Sequence, residues 1–478
     1  MKDYRWRPIE DLPENWPELA APELPALSAA WQKYSEKLRD SDSLKHFNER
    51  LIREWAIETG IIENLYSIDR GVTQTLIEKG IEASLIPHGS TDKPVERILP
   101  MLKDQEEVVE GLFDFVAQRR ELSTSYIKQL HQAFTRHQET TTAIDALGRV
   151  VDVALLRGDW KHLPNNPTRP DEGVHEYCPP EHVASEMDRL IAMHKEHRQK
   201  GVPPEIEAAW LHHRFAQIHP FQDGNGRVVR ALASLVFLRA GWFPLVVNRD
   251  ERVEYIESLE KADQGDLAPL ANLFAGIQKK AFNQALSLSE QVILAGDPMQ
   301  QIIAAAIERL KEKKRLSSSQ LMLSHRLEEF TGQKLYDQAI KLDEALKSVS
   351  PNYSATTRQS DEQDLAKLLI AIAARKCASE MGYQADVDTY HAWCELFIRE
   401  NHDSRIVVSF HSMGAEFLGL MAVSAWINAG KLSQIATPLS KTPFQFSLQD
   451  DEAQVTQRLD KWLDDVLLVG LDLWRKQL

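Results

Sequence analysis

His219, Asp223, Arg227 and Arg230 fall in one short stretch, His-Pro-Phe-Gln-Asp-Gly-Asn-Gly-Arg-Val-Val-Arg, which ends at Arg230. It combines a base, a carboxylate, a glycine-rich turn and two cations. Such a set could hold a nucleotide polyphosphate with a metal ion and activate a nucleophile beside it. Imidazole titrates near neutrality, so His219 is the natural general base. Asp223 could hold Mg2+ between phosphates. Gly224 and Gly226 carry no Cβ, so the backbone there can turn tightly and approach an anion. Arg227 and Arg230 share one helix face, and each can fork onto phosphate oxygens.

The elements that must position these groups are legible nearby. Arg-Val-Val-Arg-Ala-Leu-Ala-Ser-Leu-Val-Phe-Leu, from Arg227 onward, has apolar residues at helical spacing. The glycine turn therefore opens onto a helix N-terminus, where free N–H groups and the macrodipole favour an anion. Singly, each residue has an ordinary structural explanation. Together they lie in the order that one phosphoryl-transfer site requires.

The stretch resembles the signature of the Fic family, His-x-Phe-x-(Asp/Glu)-Gly-Asn-Gly-Arg-x-x-Arg, at every specified position. The resemblance implies a protein adenylyltransferase. His219 would deprotonate a Ser, Thr or Tyr hydroxyl of a protein substrate, which attacks the α-phosphate of ATP. It further implies that Asp223 binds Mg2+, that Gly224, Asn225 and Gly226 form an anion hole, and that Arg227 and Arg230 steady the β- and γ-phosphates. Phe221 would pack under the loop. The likeness extends upstream through Ala209–Ile218 and Leu122–His131, and downstream through Asn248, Arg249, Ala262 and Gly265–Leu267. Tyr255 would line an adenine pocket; the family's second tyrosine is Ile256 here. His212 and His213 are read as packing or local hydrogen-bond residues.

Fic enzymes often carry an inhibitory helix with the pattern (Ser/Thr)-x-x-x-Glu-(Gly/Asn), whose Glu pairs with the second signature arginine. The chain has two matches. Thr59, Glu63 and Asn64 lie in a helical pattern ahead of the core, so Glu63 is the expected brake on Arg230. Thr168 to Gly173 contains Pro170, which a helix interior does not tolerate, and is read as accidental.

At 478 residues the chain should hold two or three domains. We divide it into an N-terminal helical region (1–104, inhibitory helix about 51–70), a Fic catalytic domain (105–275) and a C-terminal domain (276–478). The expected class is mainly α: a Fic-type helical core with a small β-hairpin flap, plus a mostly helical C-terminal domain with minor β. Val150 to Arg157 reads as β-like, and the proline-rich run to Gly173 as the rest of a hairpin or lid. The resemblance implies that this flap holds target peptide by its edge. Pro8 to Pro25 is read as extended chain wrapping a surface, and Ser123 as a helix N-cap.

Composition sets outer bounds. Hydrophobic residues are 43% and charged residues 27%, ordinary for a globular protein. A net charge of -15 argues against general nucleic-acid binding. Cys178, Cys377 and Cys394 are too scattered for a disulfide or zinc framework and are read as reduced thiols. The N-terminus lacks a signal-peptide core and no apolar run reaches membrane-spanning length, so the expected compartment is the cytoplasm, with no membrane partner.

The C-terminal third offers helix candidates at 298–314, 319–348 and 362–381, and a strand at Arg405–Phe410. The next residues, His411-Ser412-Met413-Gly414, bring a hydrolase nucleophile elbow to mind, but its first glycine is missing; an interaction or oligomerisation domain is the preferred reading. For the site itself, two alternatives to adenylyl transfer stay open: removal of AMP or transfer of another phosphate-containing group, and a nucleotide-responsive binding protein. Self-modification and a homo-oligomer are also compatible with the sequence.

Overall fold

Helical periodicity with few interior breakers produces a chain dominated by helices, as expected. The computed structural model describes residues 4–39, 41–144, 149–167, 175–288, 321–360, 366–400, 403–414, 419–428 and 436–476. Two compact units emerge, one of residues 1–24 with 44–281, the other of 25–43 with 282–478.

The first unit is built around two helices that are buried on nearly every face. These are α7 (Pro204–Ile218) and α8 (Asn225–Arg239). A helix buried all round must sit at the centre of its neighbours, and α7 packs directly on α8. Helices α6 (Pro180–Lys200) and α9 (Arg252–Asp263) flank α7, while α4 (Val95–Ala117) and α5 (Thr124–Phe134) flank α8. Ser123 caps α5, its hydroxyl accepting the Tyr126 N–H at 3.2 Å. Ahead of these lie α2 (Asp42–Ile62) and α3 (Arg70–Lys79), and α10 (Ala268–Ser287) follows α9; α1 (Leu24–Leu38) groups with the second unit. The N-terminal arm wraps α6 and α7 through backbone groups. Ile9 N–H donates to Glu186, Ala21 N–H donates to Glu205, and the Trp210 indole donates to Glu10 O.

The flap differs from its expected position. Its hairpin pairs β1 (Thr140–Ile144) with β2 (Val150–Ala154), in antiparallel register from Thr140↔Ala154 to Ile144↔Val150. The apolar strand was legible; its partner is a threonine run on the N-terminal side, not the proline-rich run after it. The second inhibitory-pattern match, from Thr168 to Gly173, lies outside the described residues.

The second unit holds a six-stranded antiparallel sheet, a larger β element than the single strand named from sequence. Its strands are β3 (Ser354–Gln359), β4 (Ala385–Arg399), β5 (Ser404–Met413), β6 (Leu420–Asn428), β7 (Thr437–Pro438) and β8 (Phe444–Ser447). They run in the order β3-β4-β5-β6-β7, with β8 also paired to β6. Ile406, Val408 and Phe410 of β5 point into a core shared with α11 (Met322–Val349) and α13 (Glu452–Arg475). Helix α12 (Ala366–Glu380) packs on β4 and β6.

The elbow-like residues have no elbow. Ser412 is fully buried on β5, opposite Met421 of β6, so strand follows strand where a nucleophile elbow needs a helix. His411 is held between the Tyr383 hydroxyl (2.7 Å) and Ser409 (3.2 Å). The helix candidate at 298–314 lies outside the described residues. The three cysteines are free and buried.

Candidate active site

Helix α7 ends at Ile218 and delivers His219 in the left-handed region, at φ 51° and ψ 59°. Non-glycine residues seldom sit there, and those that do often serve a function. Its N–H donates to Phe215 O at 2.8 Å. Nδ1 faces the Ala216 carbonyl at 3.3 Å. A carbonyl only accepts, so Nδ1 carries the proton and Nε2 keeps its lone pair. The ring stacks on Tyr177 with centroids 3.8 Å apart. Burial, reinforced by Lys161, pushes the His219 pKa down to about 3. The imidazole is therefore neutral at physiological pH, with the Nε2 lone pair unprotonated.

The loop after His219 is pinned from three sides. Phe221 is fully buried and stacks on His131 at 3.8 Å. His131 Nδ1 accepts the Gly158 N–H at 2.9 Å, which leaves Nε2 to donate to Asp223 O, also at 2.9 Å. Burial lowers its pKa to about 4, so this tautomer persists. Asn225 closes the turn, accepting from Phe221 N–H at 2.9 Å and donating to Phe221 O at 2.7 Å. From outside, Lys161 N–H donates to Pro220 O at 2.8 Å, and Asn165 donates to Phe221 O at 2.7 Å. Gly224, at φ 82°, is the residue from which α8 starts. The first-turn N–H groups of α8, at Asn225, Gly226 and Arg227, have no partner within their own helix, and a helix end of this kind favours an anion.

The two arginines part company. Arg230 is 1% exposed and reaches α2: NH1 donates to Glu63 Oε1 at 2.9 Å, while Nε and NH2 meet Thr59 Oγ1 and O at 3.4 and 3.3 Å. Burial disfavours its charge, but Glu63 and Tyr255 outweigh that and raise its pKa. Arg227 turns away to α5. NH1 donates to Phe134 O at 3.0 Å and NH2 to Gln138 Oε1 at 2.7 Å.

Asp223 sits beside Gln138. Oδ2 accepts from Gln138 Nε2 at 2.5 Å and from the Thr141 hydroxyl at 3.3 Å, and Oδ1 accepts from Gly224 N–H at 2.5 Å. Burial works to raise its pKa, but Arg227, Gln138 and the remaining donors hold it below the usual carboxylate range. The ionised carboxylate fits Mg2+, which commonly takes one or two carboxylates together with substrate phosphates. Among the described residues no group of three or more His, Cys, Asp or Glu is arranged to hold a metal.

Glu63 owes its position to the way α2 stops. Asn64 N–H donates to Ile61 O at 3.0 Å and Leu65 N–H to Gly60 O at 2.9 Å. With Asn64 at φ 54°, this is a Schellman termination. It gives a physical reason for Gly or Asn after the glutamate in the pattern. The Trp55 indole donates to Ser234 on α8 at 3.1 Å, docking α2 beside Arg230.

Glu63, His219, Gly226, Arg230 and Tyr255 line one cavity of about 230 Å³; Asp223 and Arg227 lie beyond its lining. The Tyr255 hydroxyl bonds His212 Nε2 at 2.7 Å, and both side chains are buried. His213 Nε2 meets Asp263 at 3.0 Å. Sequence reasoning missed Gln138, Lys161 and Asn165. Nothing local marks them, since they act through contacts distant in sequence.

Residues 121–237 match the family model described as the Fic/DOC family. The protein adenylyltransferase fic-1 of Caenorhabditis elegans is 29% identical over 122 residues, 25% of this chain and 24% of that protein. The protein of the same description from Caenorhabditis briggsae is 33% identical over 96 residues, 20% of this chain and 19% of that protein. The chain thus spans about a quarter or less of the length of these curated relatives. Among solved structures, a Fic-domain-containing signalling protein from Bacteroides thetaiotaomicron aligns with a TM-score of 0.45 and 21% identity, over 55% of this chain and 97% of that one. Glu63, just past the end of α2, precedes the family match, which begins at 121 and includes the whole signature. Residues 121–237 of this chain are a Fic domain.

Proposed function

We propose that this protein transfers AMP from ATP to a hydroxyl side chain of a protein, and that Glu63 restrains the reaction. The observation that carries the reading is convergence. A neutral histidine with a free Nε2, a helix N-terminus and a buried arginine meet around one cavity. In the reaction, His219 Nε2 takes the proton of the acceptor hydroxyl. The oxygen forms a bond to the α-phosphorus, the bond from that phosphorus to the bridging oxygen of the β-phosphate breaks, and pyrophosphate leaves. The N–H groups of α8 and Arg230 would stabilise the charge on the phosphates, so positioning and electrostatics carry the catalysis. Asp223 is the residue that would hold Mg2+, which supplies charge neutralisation when bound. Tyr255 would border the nucleoside.

Glu63 occupies Arg230 and narrows the cavity, so ATP must displace a charge-assisted hydrogen bond to bind productively. The presence of this carboxylate in the cavity that His219 also lines supports a second reading, removal of AMP, with Glu63 orienting the hydrolytic water.

The test uses ATP labelled at the α or γ position with Mg2+, on wild type, Glu63→Gly and His219→Ala. Transfer of α label only, increased by Glu63→Gly and abolished by His219→Ala, is expected. Transfer from the γ position would replace the reading with kinase-like use. Loss of AMP from a modified protein, dependent on Glu63, would favour removal. Neither activity in any variant would leave a nucleotide-responsive binding protein.

A further inference from the structure

Gln138 lies just after α5, outside the signature, yet it touches two signature residues at once. Its carbonyl oxygen accepts from Arg227 NH2 at 2.7 Å, and its amide nitrogen donates to Asp223 Oδ2 at 2.5 Å. The orientation of the amide is fixed, because a guanidinium can only donate and an ionised carboxylate can only accept. Arg227 is itself anchored by Phe134 O at 3.0 Å, and the Gln138 backbone carbonyl accepts from Arg157 Nε at 3.0 Å. Direct Arg227–Asp223 contact is long, at 3.8 Å; the amide fills the space between them.

We propose that Gln138 is a positioning residue for Asp223, setting the direction of its carboxylate through the Arg227–Gln138–Asp223 chain before a cation arrives. The proposal rests on the reading of Asp223 as the Mg2+ residue. Three donors hold this carboxylate: its own loop at Gly224 N–H, the hairpin at Thr141, and Gln138. Gln138 is the one tied to a buried cation, so it transmits the rigidity of α5 and α8 to the carboxylate. Partners that orient a metal ligand typically contribute a factor of roughly 10–100 to metal affinity.

The test measures Mn2+ binding by electron paramagnetic resonance on the full chain carrying Glu63→Gly, with a non-hydrolysable ATP analogue present. Gln138→Leu should weaken Mn2+ binding by about tenfold or more, leave affinity for the metal-free analogue unchanged, and have its α-label transfer restored by excess Mg2+. Added metal does not rescue a misfolded protein. Gln138→Met, of equal length, takes its place if the leucine variant does not fold. Unchanged Mn2+ affinity in the Gln138 variant, with Asp223→Asn weakened, overturns the positioning role alone. Unchanged affinity in Asp223→Asn overturns the metal reading, and this proposal with it.

Discussion

The Glu63 carboxylate lies over Gly226: a Cβ placed on Gly226 would stand 2.2 Å from Glu63 Oε1 and 2.6 Å from Oε2. The bare backbone at the start of α8 is therefore where the carboxylate rests. The glycine has a structural use even with no phosphate present.

Removing that carboxylate should cost native stability while opening the site. A hydrogen bond to a charged group contributes about 1.5–3 kcal/mol, and Arg230 is 1% exposed while Glu63 is 24% exposed at the side chain. Glu63→Gly is expected to lower the unfolding free energy of the ligand-free protein, read by urea denaturation, by an amount in the lower part of that range. Saturating ATP with Mg2+ should then raise its melting temperature more than it raises that of wild type. An equal rise in both proteins would mean that Glu63 does not compete with nucleotide.

A second contact holds α2 in place independently of Glu63. Arg249 donates to Glu58 through Nε at 3.0 Å, NH2 at 2.6 Å and its backbone N–H at 2.8 Å, and NH1 donates to Ile68 O at 2.9 Å. Glu58 is 4% exposed. Deleting one partner of a buried pair typically costs about 3–5 kcal/mol. Arg249→Ala should destabilise by that order in chemical denaturation and raise α-label transfer as α2 loosens. Denaturation unchanged within experimental error would show that the pair does not dock the helix.

The turn that follows α2 depends on Gly60. A Cβ there would stand 2.1 Å from the Tyr66 hydroxyl oxygen, and Tyr66 is 2% exposed with its hydroxyl on Ala56 O at 3.2 Å. Overpacking a filled site typically costs about 1–3 kcal/mol. Gly60→Ala should fall in that range by thermal unfolding, despite alanine's better helix propensity. A stabilised variant would refute the packing argument.

Acid should destabilise the first unit through its histidines. His219 has a folded pKa of about 3 and His131 of about 4, both depressed by burial from imidazole's ordinary value of 6.5. Between those values and 6.5 the unfolded chain binds more protons than the folded one. Stability therefore rises with pH through that window and falls as pH drops from about 6.5 towards 3. Denaturation midpoints at pH 7, 6 and 5 should decline, and less steeply for His219→Ala than for wild type. The transfer rate should show no loss near pH 6.5 from protonation of His219; a limb there assigned to His219 would contradict its burial.

The sequence by itself determined the pieces whose causes are local. Spacing and composition are enough to place the glycine turn at the head of α8, the helical run that follows it and the Ser123 cap, because propensity, capping and helical periodicity act over a few residues. The tertiary structure decided the rest. Arg227 and Arg230 share a helix face in sequence, yet neighbouring elements divide them: α5 claims Arg227 through Phe134 and Gln138, and α2 claims Arg230 through Thr59 and Glu63. The strand that pairs with Val150–Ala154 was obscured because a threonine run has no apolar face of its own, and register is set only by pairing. Two stretches fit the inhibitory pattern equally well as text. Pro170 already marks the second as accidental; what brings Glu63 to Arg230 is packing, since a six-residue pattern does not encode which helix lies against α8, whereas the Trp55–Ser234 contact and the Schellman turn at Asn64 decide it.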